Sequence, residues 1–217
     1  MLCTEQDGRC ALRIERGDLL VGASVAVLTG PNEQQGPILT DEQLERAGTY
    51  ILAHGRLLER QLYAYFFRGG SREACLTALL AYQNPDGGFG NGIEPDLLCP
   101  DSTAIGAETA MGILDLLDVD SVGPESEIVT RLVDWISANQ DERGVIPHPP
   151  AHLLDYPHQP WWENKDDLRI LTLAGLLHKW NVDAPALFAK TRSYYLACEM
   201  PDKWQVYTYP FYVYLKY

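Results

Sequence analysis

An all-α domain built from helical hairpins is the fold class that this sequence predicts for residues 40–217. Apolar residues in that region recur at intervals of three and four positions, the spacing that gathers them on one face of a helix. Alternating runs typical of half-buried strands are almost absent there. A turn built on glutamine and glycine also occurs twice, each time after a helical run. Together these observations predict successive helices and little or no sheet.

Composition narrows the class of partner. The chain has 217 residues, and 46% of them are hydrophobic, which is enough for a sizeable core. Acidic residues outnumber basic ones by 30 to 17, which gives a net charge of −13. Nucleic acids and anionic membrane surfaces attract basic proteins, so neither is an expected partner. No apolar run is long enough to predict an integral membrane helix.

Residues 1–39 are predicted to form a separate N-terminal arm or short β-hairpin. The stretch 29–37 is a linker by composition and leads to the helical domain at 40–217. The N-terminus lacks the basic-then-apolar order of a signal peptide. The five cysteines are scattered and form no Cys-x-x-Cys pair. These features predict a cytoplasmic protein.

Start and stop signals place the predicted helices. Thr40 and Gln43 form a capping box at the start of the first helix, and the apolar spacing continues that helix as far as the glycines at 69–70. Ser71 is predicted to cap the second helix. Five further helical segments are predicted, the last of them interrupted by Pro210: 101–119, 125–140, 166–180, 185–199 and 202–217.

Two segments, 79–89 and 136–146, share one pattern at a separation of 57 residues. Each reads apolar-x-x-x-Gln-x-x-x-Gly-x-apolar, and the pairs are Gln83 with Gln140, Gly87 with Gly144 and Phe89 with Ile146. A glutamine side chain both donates and accepts, so it can join the carbonyls at one helix end to the free N–H groups at the start of another. The glycine permits the turn, and the apolar residue is expected to fill the seam between hairpins. The alternative is two ordinary helix ends that look alike.

The segment QNPDGGFG (83–90) resembles the QW-type repeat of the terpenoid cyclase and protein prenyltransferase superfamily, with Phe89 in the aromatic position. The stretch QDERGVI (140–146) resembles a degenerate second copy. Residues 82–115, with YPHQPWW (156–162), look like a group of bacterial prenyltransferase-like proteins. The resemblance implies a partial α/α toroid, because residues 40–217 hold fewer hairpins than a closed toroid. A homodimeric ring, or a fragment of a longer toroid, are the alternatives.

The superfamily's catalytic motifs are not matched. Class II cyclases use D-x-D-D, whereas DVDS (118–121) lacks the last acid. Class I enzymes bind Mg²⁺ through D-D-x-x-D, which KDDLRI (165–170) does not complete. The zinc-binding D-x-C pair of protein prenyltransferases has no counterpart, since DLLC (96–99) has the wrong spacing. The resemblance therefore implies a fold more strongly than a reaction, and it leaves the cofactor open.

Three carboxylates, Glu94, Asp96 and Asp101, lie within eight residues after the first repeat turn. They are the candidate catalytic residues, because a carboxyl in an apolar site has a raised pKa and can donate a proton. In the structural alternative, Asp101 caps the helix that follows and the other two tie the loop to a neighbouring helix end. Glu94 and Asp96 are the stronger functional candidates.

The stretch 148–164 concentrates histidine and aromatic residues. His148, His152 and His158 suggest a metal site, but the prolines at 149–150 argue against the helix that would aim two imidazoles at one ion, so no metal ligand is predicted. The aromatic residues either line an apolar, cation-stabilising pocket or anchor a proline-rich connection. The predicted substrate-binding residues are Phe89, Tyr156, His158, Trp161, Trp162 and Arg169.

The predicted function is that of a prenyltransferase- or terpene cyclase-like protein that binds an isoprenoid or similar apolar molecule in a central aromatic-lined cavity. One alternative is a carbohydrate-active enzyme, because α/α toroids also support sugar chemistry with paired carboxylates and stacking tryptophans. A second alternative is a non-catalytic helical-repeat binding protein, which the missing motifs favour.

Overall fold

The computed structural model describes residues 40–117, 126–200, 202 and 208–217. Within these ranges the chain forms α-helices and short 3-10 turns and no β-strand, so the predicted all-α class is confirmed. The α-helices are α1 Asp41–His54, α2 Leu57–Arg68, α3 Arg72–Leu80, α4 Ala104–Leu116, α5 Glu127–Asn139, α6 Arg169–Lys179, α7 Pro185–Ala197 and α8 Tyr209–Lys216. The predicted N-terminal arm and the DVDS stretch lie outside the described residues. No helix in the described ranges is long and apolar enough to cross a membrane.

The chain divides into two compact units, residues 1–54 and 55–217. The described part of the first unit is essentially α1, and its predicted capping box is confirmed. Thr40 N donates to Gln43 Oε1 at 2.8 Å, and Gln43 N donates to Thr40 Oγ1 at 3.2 Å. The predicted domain boundary after residue 39 stays a prediction.

The prediction of one helix from Thr40 to the glycines at 69–70 is wrong. The helix ends at His54, and a new one begins at Leu57 after Arg56 adopts an extended backbone with φ −68° and ψ 170°. Gly55 supplies the break, since glycine is a poor residue for a helix interior. Apolar residues on both sides of the break keep helical spacing, and therefore periodicity alone did not reveal it.

Side-chain caps set the starts of α3 and α4. Ser71 Oγ accepts a bond from Ala74 N at 3.2 Å, as predicted. Thr103 Oγ1 accepts from Gly106 N at 2.9 Å, so α4 is capped by Thr103 and the expected capping role of Asp101 is wrong. The predicted last helix begins at Tyr209, so Pro210 does not interrupt it. Pro210 lies in the first turn, where a backbone N–H has no partner within the helix and its loss costs nothing.

The two caps differ in burial and should differ in energetic weight. We expect Thr103→Ala to lower the free energy of unfolding by about 1–2 kcal/mol and Ser71→Ala by about 0.5–1 kcal/mol, because the Gly106 N–H that loses its acceptor is buried, whereas the Ala74 N–H is exposed to water. Urea denaturation of the two variants measures the difference. Ser193→Ala, which removes an exposed hydroxyl bonded only to its own helix, serves as the control and should change stability little. Equal losses at Thr103 and Ser71 would contradict the burial effect.

Both consecutive and alternate helices of the second unit pack against one another. The helix α6 contacts α4, α7 and α8, and α5 contacts α7, while α2 packs on α3. Both α4 and α6 are buried along nearly their whole length. Small residues allow the closest contacts: a β-carbon at Gly106 would lie 2.2 Å from the Phe89 carbonyl oxygen, so only glycine fits there. This is the packing of stacked helical hairpins, and the toroidal arrangement remains a prediction.

The two predicted glutamine turns, called here the first corner (residues 83–89) and the second corner (residues 140–146), have matching backbone hydrogen bonds. Each pair of equivalent bonds is displaced by the 57 residues that separate Gln83 from Gln140. The pairs are Asn84 N to Gly88 O with Asp141 N to Val145 O, both 2.8 Å, and Gly87 N to Asn84 O at 2.9 Å with Gly144 N to Asp141 O at 3.0 Å. Two ordinary helix ends would not share this register, so the corners are a true structural repeat.

Each glutamine joins its corner to the next helix but one. Gln83 Nε2 donates to Gly87 O at 2.9 Å and to Ile128 O, in the first turn of α5, at 3.1 Å. Gln140 Nε2 donates to its corner glycine at 2.9 Å and to Leu187 O, in the first turn of α7, at 3.4 Å. The predicted link is present: Gln140 Nε2 also donates to Thr191 Oγ1 on α7 at 2.9 Å, and Gln83 Oε1 accepts a long bond from Arg131 Nη1 on α5 at 3.4 Å. The shorter bonds to these helices are those in which the glutamine amide donates.

The corner glycines lie directly against the same helices that the glutamines reach, α5 at the first corner and α7 at the second. Gly87 has φ +95°, and a β-carbon there would lie 2.3 Å from Arg131 O in α5. Gly144 has φ +89°, and a β-carbon there would lie 2.5 Å from Lys190 O in α7. Both positions therefore need glycine for backbone conformation and for space.

Candidate functional site

The loop after the first corner places Glu94 against α4. The Thr109 hydroxyl lies 3.2 Å from Glu94 Oε2, and Glu94 is half-buried. Burial raises the pKa of the Glu94 carboxyl and the charge of Asp96 raises it further, while the Thr109 hydrogen bond and the charges of Arg169 and Arg56 offset this only in part. Glu94 therefore holds its proton to a higher pH than an ordinary glutamate does, and its side chain bonds to the middle of α4 rather than to a helix end.

Arg56 fixes the backbone beside Glu94. Its guanidinium donates to Gly92 O and, at 3.1 Å, to Ile93 O. Its Nε also donates to Glu59 Oε1 at 2.9 Å, and the charged group lies over the Tyr82 ring, 5.3 Å from the centroid. Bonds to two successive carbonyls hold the loop in one conformation, so the position of the Glu94 side chain is set by α2 as well as by α4.

Asp96 joins the loop that carries Glu94 to the proline-rich connection at residues 148–164. Trp162 Nε1 donates to Asp96 Oδ1 at 2.7 Å, and Gln159 N donates to Asp96 O at 3.0 Å. The Trp162 ring is buried in a small hydrophobic cluster with Leu97, Cys99, Ile105 and Leu153. The structure thus brings together Asp96 and Trp162, two residues named from the sequence.

The other residues named from the sequence take no part in the Asp96–Trp162 bond, although His158 forms a backbone bridge with Leu97 beside it. Trp161 and Tyr156 are surface residues, 55% and 41% exposed. His158 bonds with Tyr156 O at 2.7 Å and with Glu163 Oε1 at 3.3 Å. Phe89 is fully buried in the main core.

Asp101 anchors the proline-rich connection. Its carboxylate accepts a bond from His152 N at 3.3 Å and pairs with the His152 ring at 3.0 Å. His148 is buried and its Nε2 bonds to Trp162 O at 2.8 Å. Among the residues that the structure describes, no group of three or more His, Cys, Asp or Glu side chains is arranged to hold a metal ion.

A buried charged cluster joins α4, α6 and α8. Arg169 donates to Glu108 and to Tyr209 OH, and its Nε donates to Asp166 Oδ2 at 2.6 Å. Burial raises the pKa of Glu108, and the charge of Arg169 counters this only in part. Burial alone would lower the pKa of Arg169, but the Glu108 charge reverses this and raises it. Arg169, predicted to bind substrate, therefore already has two carboxylate partners.

Sequence reasoning did not identify Glu108 or Tyr209. The available signal was Glu108 itself, a single acid in the Ala- and Gly-rich stretch AIGAETAM. An acid on a helix that is apolar on every side needs a partner, because an unpaired buried charge is costly. Nothing in the sequence indicated that Arg169 would be that partner.

These groups gather at the N-terminal ends of alternate helices. Arg56 immediately precedes α2, Glu108 and Thr109 lie in the first half of α4, and Arg169 and Tyr209 are the first residues of α6 and α8. The partial positive charge of helix N-termini favours negative groups nearby. We therefore take the surroundings of Glu94 and Glu108 as the candidate site. The chain matches no family model, no curated protein and no solved structure.

An open cleft of about 650 Å³ lies elsewhere, between the first corner and the proline-rich connection. Its walls include Asn84, Asp86, Trp135 and Pro147, and neither Glu94 nor Glu108 lines it. Trp135 is only 3% exposed and presents little ring surface for stacking. The central aromatic-lined cavity stays a prediction.

Proposed function

We propose that this protein is a terpenoid cyclase- or prenyltransferase-like enzyme that binds an isoprenoid or similar apolar substrate, with Glu94 as the proton donor. Two equivalent glutamine corners support the relationship, since they have the form that the superfamily's repeat implies. The half-buried carboxyl of Glu94 supports the chemistry, because protonation of an alkene needs an acid and burial raises the pKa of this one.

The hydrogen bonds of Thr109 carry the proposal. Its single hydroxyl proton has two acceptors within reach, Ile105 O at 2.9 Å and Glu94 Oε2 at 3.2 Å. One proton serves only one of them fully. If Glu94 is protonated, it donates to the Thr109 oxygen while Thr109 donates to Ile105, and both bonds form. The geometry therefore favours the neutral acid, in agreement with the raised pKa of Glu94.

The surroundings suit proton delivery. Arg56 holds the loop, so the carboxyl of Glu94 keeps its direction when the proton leaves. The indole of Trp162 holds Asp96 in place, and the charge of Asp96 helps to raise the pKa of Glu94. Glu94 would donate its proton to the double bond, and the resulting carboxylate would be stabilised by the charges of Arg56 and Arg169.

Replacement of Glu94 by glutamine tests the acid. We expect Glu94→Gln to bind linear isoprenoids as the wild type does and to lose turnover by about 100-fold or more, because the amide cannot donate the proton. Product analysis by gas chromatography and mass spectrometry of a panel from geranyl to squalene chain lengths measures this. Wild-type turnover should fall as pH rises past the raised pKa of Glu94. Glu142→Gln, an exposed acid, is the control. Full turnover in Glu94→Gln would contradict the assignment.

A carbohydrate-active enzyme is the second candidate. The observation that favours it is the polar set around Glu94: Asp96 close enough to raise its pKa, with Arg56, Arg169 and Thr109 as further partners. Paired carboxyl groups are the usual catalysts of glycoside hydrolysis. Assays of the wild type and Glu94→Gln on an oligosaccharide panel separate the two candidate functions. Release of reducing ends that depends on Glu94 would favour sugar chemistry. Binding without turnover on either panel would favour a non-catalytic protein.

A further inference from the structure

Trp135 is a buried residue whose indole N–H is not bonded to the protein. The side chain is only 3% exposed, and no acceptor among the described residues pairs with its Nε1. By contrast, the buried indoles of Trp162 and Trp180 each donate to an aspartate, at 2.7 Å and 3.2 Å. Trp135 lines the open cleft of about 650 Å³, and its Nε1 is not among the polar atoms enclosed beyond the reach of water. The cleft therefore exposes a free hydrogen-bond donor.

Two side chains of the same cleft have free acceptors. Asp86 Oδ1 accepts from Gly88 N at 3.0 Å and from Ser102 Oγ at 2.7 Å. Asp86 Oδ2 has no partner in the described ranges, and the residue is exposed. Asn139 donates from Nδ2 to Trp135 O at 2.9 Å, which leaves its Oδ1 without a partner in those ranges. The cleft thus presents a carboxylate oxygen and an amide oxygen beside the indole N–H.

These three groups are neighbours. A β-carbon at Gly88 would lie 2.5 Å from Ser102 Cβ and 2.5 Å from Trp135 Cε2, the ring carbon bonded to Nε1. Ser102 Oγ is in turn bonded to Asp86, so the indole edge and the carboxylate lie on either side of one serine. Asn139 follows Trp135 by one turn of α5. One short ligand can therefore contact all three.

The walls of the cleft are rigid and carry apolar surface between the polar groups. Its volume lies within the range of about 300–1,000 Å³ that is typical of ligand sites. A proline ring fixes one backbone dihedral, so walls made of proline need little ordering when a ligand binds. Prolines and one isoleucine supply that surface here: Pro85, Pro100, Pro147, Pro149, Pro150 and Ile146.

Charge and hydrogen bonding define the ligand. Asp86 and Asp101 line the cleft and no described Lys or Arg side chain does, so an anion such as a diphosphate meets repulsion. An ammonium group cannot accept a bond from Trp135, and a proline-rich peptide has few N–H groups to donate to Asp86. A hydroxyl group both donates and accepts. Neighbouring hydroxyls on a ring with apolar C–H faces, as in a pyranose sugar, match the polar groups and the proline walls together.

We propose that this cleft binds a neutral oligosaccharide. Trp135 Nε1 donates to one sugar oxygen, while Asp86 Oδ2 and Asn139 Oδ1 accept from sugar hydroxyls. The site goes beyond the proposed function, because Glu94 does not line the cleft.

Neutral tetrasaccharides of glucose, mannose, galactose and N-acetylglucosamine, titrated by calorimetry, test the site. We expect at least one to bind, and its fully O-methylated form, which accepts but cannot donate from its hydroxyl positions, to bind about 10-fold or more weakly. Asp86→Asn should weaken binding by about 10-fold, since it replaces the free acceptor by a donor. The asparagine oxygen can still accept from Gly88 and Ser102, so the fold is kept. Asp134→Asn, at an exposed acid of α5 that does not line the cleft, is the matched control.

The outcomes separate this site from the proposed chemistry at Glu94. Binding by none of the four sugars, or equal binding to wild type and Asp86→Asn, overturns the site. Tighter binding of spermidine or of a proline-rich peptide than of every sugar also overturns it. Sugar binding that persists in Glu94→Gln supports a separate site whether or not any isoprenoid is turned over, whereas binding lost in Glu94→Gln overturns it.

Discussion

Replacing Arg169 with methionine is expected to lower the free energy of unfolding by about 3–5 kcal/mol, because it leaves the buried carboxylate of Glu108 without its cation. Methionine has a similar length and fills much of the same volume, so the loss reports the charge rather than a cavity. Tyr209 OH and Asp166 also lose their donor. Denaturant unfolding at neutral pH measures the loss.

The pH dependence of the Arg169→Met variant identifies the group responsible. Without Arg169, the folded-state pKa of Glu108 rises further above its unfolded value. A raised carboxyl pKa destabilises the fold at pH values above the unfolded pKa, and the penalty fades as the pH falls and the group takes up a proton. The difference from wild type should therefore shrink on acidification. A difference independent of pH would mean that Glu108 is not the cause. Arg143→Met, which removes two exposed ion pairs, with Asp141 and Asp167, is the control and should change stability little.

Replacing Gly87 with alanine is expected to cost about 2–5 kcal/mol. The new β-carbon would meet the Arg131 carbonyl oxygen at 2.3 Å, and the residue would have to keep φ +95°. The first corner and the start of α5 would have to separate. Gly144→Ala should have a similar effect at the second corner, where the contact is 2.5 Å from Lys190 O. Thermal and urea unfolding of both variants measures these costs.

Gly69 provides the matched control for the corner glycines. It has φ +68°, and a β-carbon there would meet nothing within 4 Å. Gly69→Ala should therefore cost only the backbone term, about 1 kcal/mol. If Gly69→Ala and Gly87→Ala are equally destabilising, close contact with the next helix does not explain the glycine at the corner.

The corners were predictable because their information is local. A glutamine, a glycine four residues later and an apolar residue two beyond it are all visible within one short segment, and the second copy confirmed the spacing. The direction of the amide bonds was not predictable, because a glutamine can donate or accept equally well. The direction of each amide bond depends on which groups of α5 or α7 lie within reach of the glutamine.

The site was only partly predictable from the sequence. Glu94 and Asp96 stood out by their closeness to the first corner, and the structure places Glu94 at α4 and Asp96 at Trp162. The cluster around Arg169 joins residues 61 and 40 positions apart in the chain. Each member alone fits an ordinary helical pattern, and packing of alternate helices is what brings them together.

The way each corner reaches the next helix but one has an energetic consequence. Gln83 and Gly87 contact α5, and Gln140 and Gly144 contact α7, so each link couples one hairpin to its immediate successor. Stability in such an array behaves as a chain of nearest-neighbour terms. A hairpin between two neighbours is held from both sides, whereas a terminal one is held from one side. Opening of this protein should therefore start at the ends of the series and reach α4 and α6 last.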